Sequence, residues 1–262
     1  MIDKERLTNH IKDLELKNTM YKVIDKAIGV IKNHDYRCTD FLNPYEIKNA
    51  VSVLNYIDDV KYFIYGGYEE AERKVVYIYP YYVFEQDLDI PIKVLEITGN
   101  FKFKEISHRD YLGAILGLGI KREKIGDILI HKDFWQVIVK KDICDFLLLN
   151  LNKVGNNSVK IKEINFLDIK YSEPEYKEVS FTVSSQRLDC IISGIYNLSR
   201  QESTKLISSQ KVCIDFEPIS SASKVVKEES LISVKGRGRA IISEIGNYTK
   251  KGRVKVKAKI IL

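Results

Sequence analysis

Between Val183 and Leu262 the chain carries 15 Lys/Arg against 7 Asp/Glu, a local balance of +8. The other residues carry 27 against 29, so the net charge of +6 belongs to this segment alone. Its densest part is VKGRGRAIISEIGNYTKKGRVKVKAKI, residues 234–260, where Glu244 is the single acid. Lys235, Arg237 and Arg239 alternate there with Gly236 and Gly238, and Lys250, Lys251 and Arg253 follow. Just upstream stand Arg187, Asp189, Ser199, Arg200, Lys205 and Lys211. The cations among them suit phosphate, since guanidinium can donate two parallel bonds, and glycine lets backbone amides approach a phosphodiester; Asp189 reads as tying Arg187 or a helix terminus in place, or as organising the arginines. A local cation excess attracts polyanions chiefly by releasing their counterions. The alternative is a solvated basic face with no partner.

Other chemistries find little support. Cys38, Cys144, Cys190 and Cys213 are scattered with no C-x-x-C pair, which argues against zinc and disulfides and fits a reducing cytoplasm. His10, His34, His108 and His131 lie far apart, and H-E-x-x-H, Walker and G-x-S-x-G motifs are absent. The triplet HRD (108–110) resembles a kinase catalytic loop, but position 115 is Ile rather than the required Asn. Ser107 is expected to cap a helix there, with Asp110 at its positive end. His108, Arg109, Lys121, Arg122 and Lys124 form a second candidate RNA surface, with local packing the competing reading. Trp135 is the aromatic singled out as a base-stacking candidate, while the many strand tyrosines suit a half-buried sheet. No apolar run approaches the roughly 18 residues of a membrane span, and the charged N-terminus is unlike a signal peptide.

The elements that must position these groups follow from periodicity. Leu7, Ile11, Leu14 and then Met20, Val23, Ile24, Ala27, Ile31 repeat at helical spacing. NPYE (43–46) reads as a helix start. VKYFIY (60–65) and KVVYIYP (74–80) read as strands. From residue 92 the order strand (IKVLEIT), helix (107–119), two strands joined by HKD, helix (KDICDFLLLNLNKV), strand (VKIKEINFL) is the split βαββαβ, ferredoxin-like arrangement that many RNA-binding sheets use. SEPEYKEVS (172–180) reads as a linker. Two short helices and the runs KVCID, LISVK, RAIISEI and RVKVKAKII follow; in the last, Lys255, Lys257 and Lys259 share one wet face.

The C-terminal segment resembles the S4-type RNA-binding domain in RLD (187–189), SR (199–200), KLISSQKV (205–212) and LISVKGRGR (231–239). It departs from that pattern at Gln210, where such domains usually have Gly, and at Glu229-Ser230, where they often have Gly-Asp, so those turns are expected to differ in shape. GGYEEAERK (66–74), SHRDYLGAILGLGIKREKIGDI (107–128) and YTKKGR (248–253) resemble the YlmH family of bacterial S4-domain proteins. That resemblance implies an RNA-binding protein of the large ribosomal subunit. It further implies rescue of stalled subunits that carry peptidyl-tRNA, with template-free extension of the nascent chain, and a link to cell division. RLDCIISG (187–194) is also similar to the R-L-D-x-x-T-x-G run of pseudouridine synthases, whose Asp is the nucleophile. Here the Thr position is Ile192, and only 73 residues follow Asp189.

The expected fold is α+β: an N-terminal helical and α+β region over 1–88, a ferredoxin-like domain over 89–172, and an S4-type (αL) domain over 181–262. The expected function is a cytoplasmic, monomeric, non-enzymatic RNA-binding protein contacting ribosomal RNA and tRNA, with no cofactor, metal or catalytic residue. The alternatives are an RNA-modifying enzyme of pseudouridine synthase type and a division-linked scaffold touching anionic lipid. The cations of the last third are expected to converge on one docking surface. The helix-borne Arg187, Arg200 and Lys205 would grip one strand segment; the Gly-Arg-Gly-Arg turn and Lys250–Arg253 would grip an adjacent one.

Overall fold

A computed structural model describes residues 2–84, 89–99 and 107–262, and divides the chain into two units, Met1–Ser172 and Glu173–Leu262. In the first unit, α1 (Lys4–Thr8) and α2 (Leu14–Asn33) are capped by Asp3 and Asp13. Leu16, Met20, Val23, Ile24, Ala27 and Val30 form the buried stripe of α2, as the spacing predicts. After β1 (Arg37–Cys38), α3 (Pro44–Leu54) opens on a capping box in which Asn43 accepts from Glu46 N and Glu46 accepts from Asn43 N. β2 (Val60–Tyr65) and β3 (Val75–Pro80) complete a three-stranded sheet of order β1-β3-β2, its inner side packed on α2 and α3.

The remaining elements of this unit are β4 (Ile92–Gly99), α4 (His108–Gly117), β5 (Ile125–Ile130), β6 (Phe134–Lys140), α5 (Lys141–Asn150), β7 (Lys153–Val154) and β8 (Asn157–Ile164). They form an antiparallel sheet of order β5-β6-β4-β8-β7. Alternation divides its residues between two cores. Leu95, Ile97, Val137 and Val139 pack with Tyr111 and Ile115 of α4 and Leu147 of α5. Val94 and Ile138 turn the other way and pack with Phe41, Val75 and Tyr77. This second cluster draws residues from both sides of the expected 88/89 boundary, which adjoins residues 85–88, outside the described set. Buried Lys140 reinforces the junction by donating to Thr39 O at 2.9 Å.

Two expectations need correction here. The helix expected to run through Val154 stops at Asn150, and Lys153–Val154 turns back as a short strand. Trp135 is not a base-stacking platform: it is only 3% exposed and stacks on Tyr111 with ring centroids 3.8 Å apart. The opposite sheet face, which RNA-binding sheets of this topology commonly use, is covered at Val94 and Ile138 by the cluster around Tyr77.

The second unit contains β9 (Tyr176–Val183), α6 (Leu188–Tyr196), α7 (Arg200–Ser208), β10 (Val212–Ile214), β11 (Glu217–Pro218), β12 (Leu231–Val234), β13 (Gly238–Tyr248) and β14 (Val254–Ile261). Its sheet order is β11-β10-β12-β13-β14-β9. Most of the stretch expected to be linker is therefore strand. β9 pairs with β14 from Val254↔Val183 to Ile261↔Tyr176. The polar composition and Pro174 hid an alternation in which Val179, Phe181 and Val183 meet the core. Gly194 marks where α6 crosses this strand: a Cβ there would stand 2.1 Å from the Phe181 ring.

Candidate nucleic-acid interface

The helix pair of the second unit is organised by one carboxylate. Asp189 lies in the first turn of α6 and is 3% exposed. It accepts from Arg187 Nε at 3.0 Å and Nη2 at 3.4 Å, and from Arg200 Nη2 at 2.7 Å. Burial pushes its pKa up, but the bonds from Arg187 and Arg200 outweigh that and hold it below the ordinary aspartate value. The same bond raises the Arg200 pKa. The two arginines keep side-chain exposures of 42% and 59%, so the carboxylate fixes their direction while each still faces solvent. Arg187 spends both bonds of its fork on Asp189, whereas Arg200 donates to it through Nη2 alone. Asp189, Arg200, Gln201, Thr204, Lys205 and Ser208 line one shallow, open recess beside α7.

The backbone brings further cations to both ends of α7. Lys235 N donates to Lys211 O at 2.8 Å, so these two exposed lysines sit side by side. Arg237 is in the turn between β12 and β13, where it acts electrostatically on Glu202 of α7. Tyr196 Oη donates to Gly238 O at 3.1 Å, tying this turn to the end of α6. Ser199 is the exception among the candidates. Its hydroxyl donates to Glu202 Oε2 at 2.7 Å and accepts from Glu202 N, so it caps α7 rather than facing a ligand.

The turns at Gln210 and Glu229 do not differ in the expected way. Gln210 has φ +54° and Glu229 φ +64°, the left-handed conformation that glycine adopts readily. Gln210 N donates to Ile207 O and Lys211 N to Leu206 O, a left-handed helix C-cap closed without its usual glycine. Gln210→Gly is accordingly expected to stabilise the second unit by about 1 kcal/mol. Differential scanning calorimetry should show its transition moving to higher temperature.

The remaining cations do not join this surface, which corrects the expectation of a single docking face. The Gly-Arg-Gly-Arg turn and Lys250, Lys251 and Arg253 lie at opposite ends of β13, roughly 30 Å apart along the strand. Arg253 is held to β9, donating to Thr182 O at 2.6 Å and Thr182 Oγ1 at 3.0 Å; Lys250 and Lys251 are exposed at the hairpin tip. Arg239 pairs with Ser233 on the sheet face away from the helices, 5.5 Å over the Phe216 ring. Sequence reasoning missed Lys224, an exposed residue whose carbonyl accepts from Leu188 N beside Arg187. It sits in an irregular loop, and only the bridge Arg187↔Val225 brings it to the helix start.

The second candidate surface is also reduced. Arg122 donates to Ile125 O at 2.5 Å, and Lys124 is ion-paired with Asp142 at 2.6 Å and Asp40 at 3.1 Å. Burial lowers the Lys124 pKa, but those two partners more than offset it and raise it. Both cations therefore brace the first unit. His108 and Arg109 are exposed in the first turn of α4, whose cap joins Ser107 and Asp110 as expected, and Lys121 is exposed beyond its end.

A family model described as "YlmH, N-terminal" matches residues 15–83, and one described as "Putative RNA-binding domain in YlmH" matches residues 85–168. The "Ribosome-associated protein quality control protein P2" of Bacillus subtilis (strain 168) is 31% identical over 237 residues, covering 89% of this chain and 92% of that protein. A solved structure, "Cell division protein ylmH from Streptococcus pneumoniae", is 25% identical with a TM-score of 0.51, covering 60% of this chain and 94% of its own.

Proposed function

We propose, from the premise that this chain belongs to the YlmH family, that it is a non-enzymatic RNA-binding protein of the large ribosomal subunit. It contacts ribosomal RNA and peptidyl-tRNA in ribosome-associated quality control, where the nascent chain is tailed without a template. The name of the Bacillus subtilis relative supports the ribosomal setting, and the matched RNA-binding model supports the ligand class. The order β5-β6-β4-β8 supports a ferredoxin-like reading of the central sheet; the helix pair α6–α7 on the sheet of the second unit supports an S4-type reading. The observation that carries the proposal is the buried Asp189, which aims two exposed arginines beside the recess lined by Lys205.

Binding of this kind is through shape and phosphate, with little reading of bases. The purified chain is expected to co-sediment with isolated large subunits, and cross-linked rRNA and tRNA should map against α6 and α7. Co-sedimentation with small subunits alone, or no RNA crosslink on the second unit, would refute it. Nothing in the geometry favours the pseudouridine synthase alternative. Both carboxylate oxygens of Asp189 already accept from guanidinium groups and the residue is buried, the reverse of an accessible nucleophile.

A further inference from the structure

The sheet of the second unit has a side that the helices do not cover. Val254, Val256 and Ala258 face the core, so the period of two turns Lys255, Lys257 and Lys259 to the other side. The same parity puts Arg239 there, through its register with Ser233. The cross-strand neighbours of the three lysines on β9 are Thr182, Ser180 and Glu178. On β13, Glu244 opposes Lys257, pairing with it at 2.6 Å, while Ile241 opposes Lys259. Aromatic rings lie at the margin: Lys259 stands 5.8 Å from the centroid of Tyr176, and Arg239 sits over Phe216. Arg253, which donates to Thr182 Oγ1, adjoins them, so among the described residues five cations share the face with two carboxylates.

Edge protection does not explain this row. Lysines commonly guard the exposed edge of a sheet, but β14 lies between β13 and β9. Alternate residues on a strand are about 6.6 Å apart, so the lysines form a line of regularly spaced positive charge. A line of that kind suits a repeating polyanion better than a single small anion. The hydroxyls of Thr182 and Ser180 can donate to phosphate oxygens, and the marginal rings can stack unpaired bases.

We propose that this open face is a second RNA-binding surface, which takes the backbone of an RNA segment other than the one held at α6 and α7. For the first of the two segments it rests on the function proposed above. The test uses the full chain and a labelled oligouridylate, with stoichiometry read by native mass spectrometry. The wild type is expected to bind two oligonucleotides. Lys255→Gln/Lys259→Gln should bind one, Arg200→Gln one, and the combined variant none. The lysine variant should also show a log affinity versus log salt slope shallower by about 1.4, for two phosphate contacts on single-stranded RNA. These lysines face solvent, so circular dichroism should match the wild type. One oligonucleotide on the wild type, lost in Arg200→Gln and unchanged in the lysine variant, would overturn the second surface and leave the proposed function standing. Absence of RNA binding by the wild type would overturn both. Binding to phosphatidylglycerol vesicles that the lysine variant loses, with RNA stoichiometry unchanged, would assign the face to lipid instead.

Discussion

Arg200→Glu is expected to weaken association with large ribosomal subunits roughly a hundredfold, since it removes the proposed phosphate contact and replaces it with repulsion. The structure adds a second reason. Arg200 Nη2 donates to the buried Asp189 carboxylate at 2.7 Å, so glutamate at 200 would set two like charges together where α6 and α7 begin. Part of the loss would then come from disorder at the helix starts. Arg200→Gln separates the two effects, because it keeps a donor for Asp189 and adds no negative charge. We expect it to bind about tenfold more weakly than the wild type, with unchanged circular dichroism. Retained co-sedimentation of Arg200→Glu would remove this site from the interface.

Asp127→Ala is expected to cost the first unit about 4.5 kcal/mol, from three bonds to one carboxylate at roughly 1.5 kcal/mol each. Asp127 accepts from Tyr68 Oη at 2.9 Å, Glu72 N at 2.7 Å and Arg73 N at 3.0 Å. Burial, followed by the neighbouring Asp127 carboxylate, drives the Tyr68 hydroxyl far above its ordinary pKa, so it remains a donor. Arg73 then reaches Phe41 O at 2.8 Å and Ile125 O at 3.1 Å. The stretches GGYEEAERK and KIGDI, far apart in sequence, therefore form one polar knot. The chain has a single tryptophan, buried Trp135, in the same unit. Its fluorescence during urea unfolding isolates this unit, and the midpoint should fall sharply in Asp127→Ala. An unchanged midpoint would show the knot to be dispensable.

The local grammar of the fold was legible in the chain. Asn43 with Glu46, Ser107 with Asp110 and the lysine alternation of β14 each act within a few residues, where capping and strand period decide the outcome. What escaped was set by distant partners. Lys124 looks available until Asp40 and Asp142 fold onto it. Arg239 and Arg237 are two residues apart, yet strand parity and a turn send them to different surroundings. The helix-side arginines are joined by Asp189, whose spacing from Arg187 was visible but whose contact with Arg200 depends on how α6 and α7 pack. Gln210 was misjudged for a related reason: residue type suggested a different turn, while the closing bonds of α7 impose the left-handed one.

The pairing of β9 with β14 bears on how the second unit can be isolated. A fragment begun at residue 181 would discard most of β9, and with it eight registered partners of the lysine-bearing strand would be cut to three. The freed amides and carbonyls of β14 would then lie open to any passing chain, inviting self-association that mimics a natural dimer. Leu262 N also donates to Glu175 O, so the C-terminal residue would lose its tether. Cloning from residue 173, where the second unit begins, preserves both.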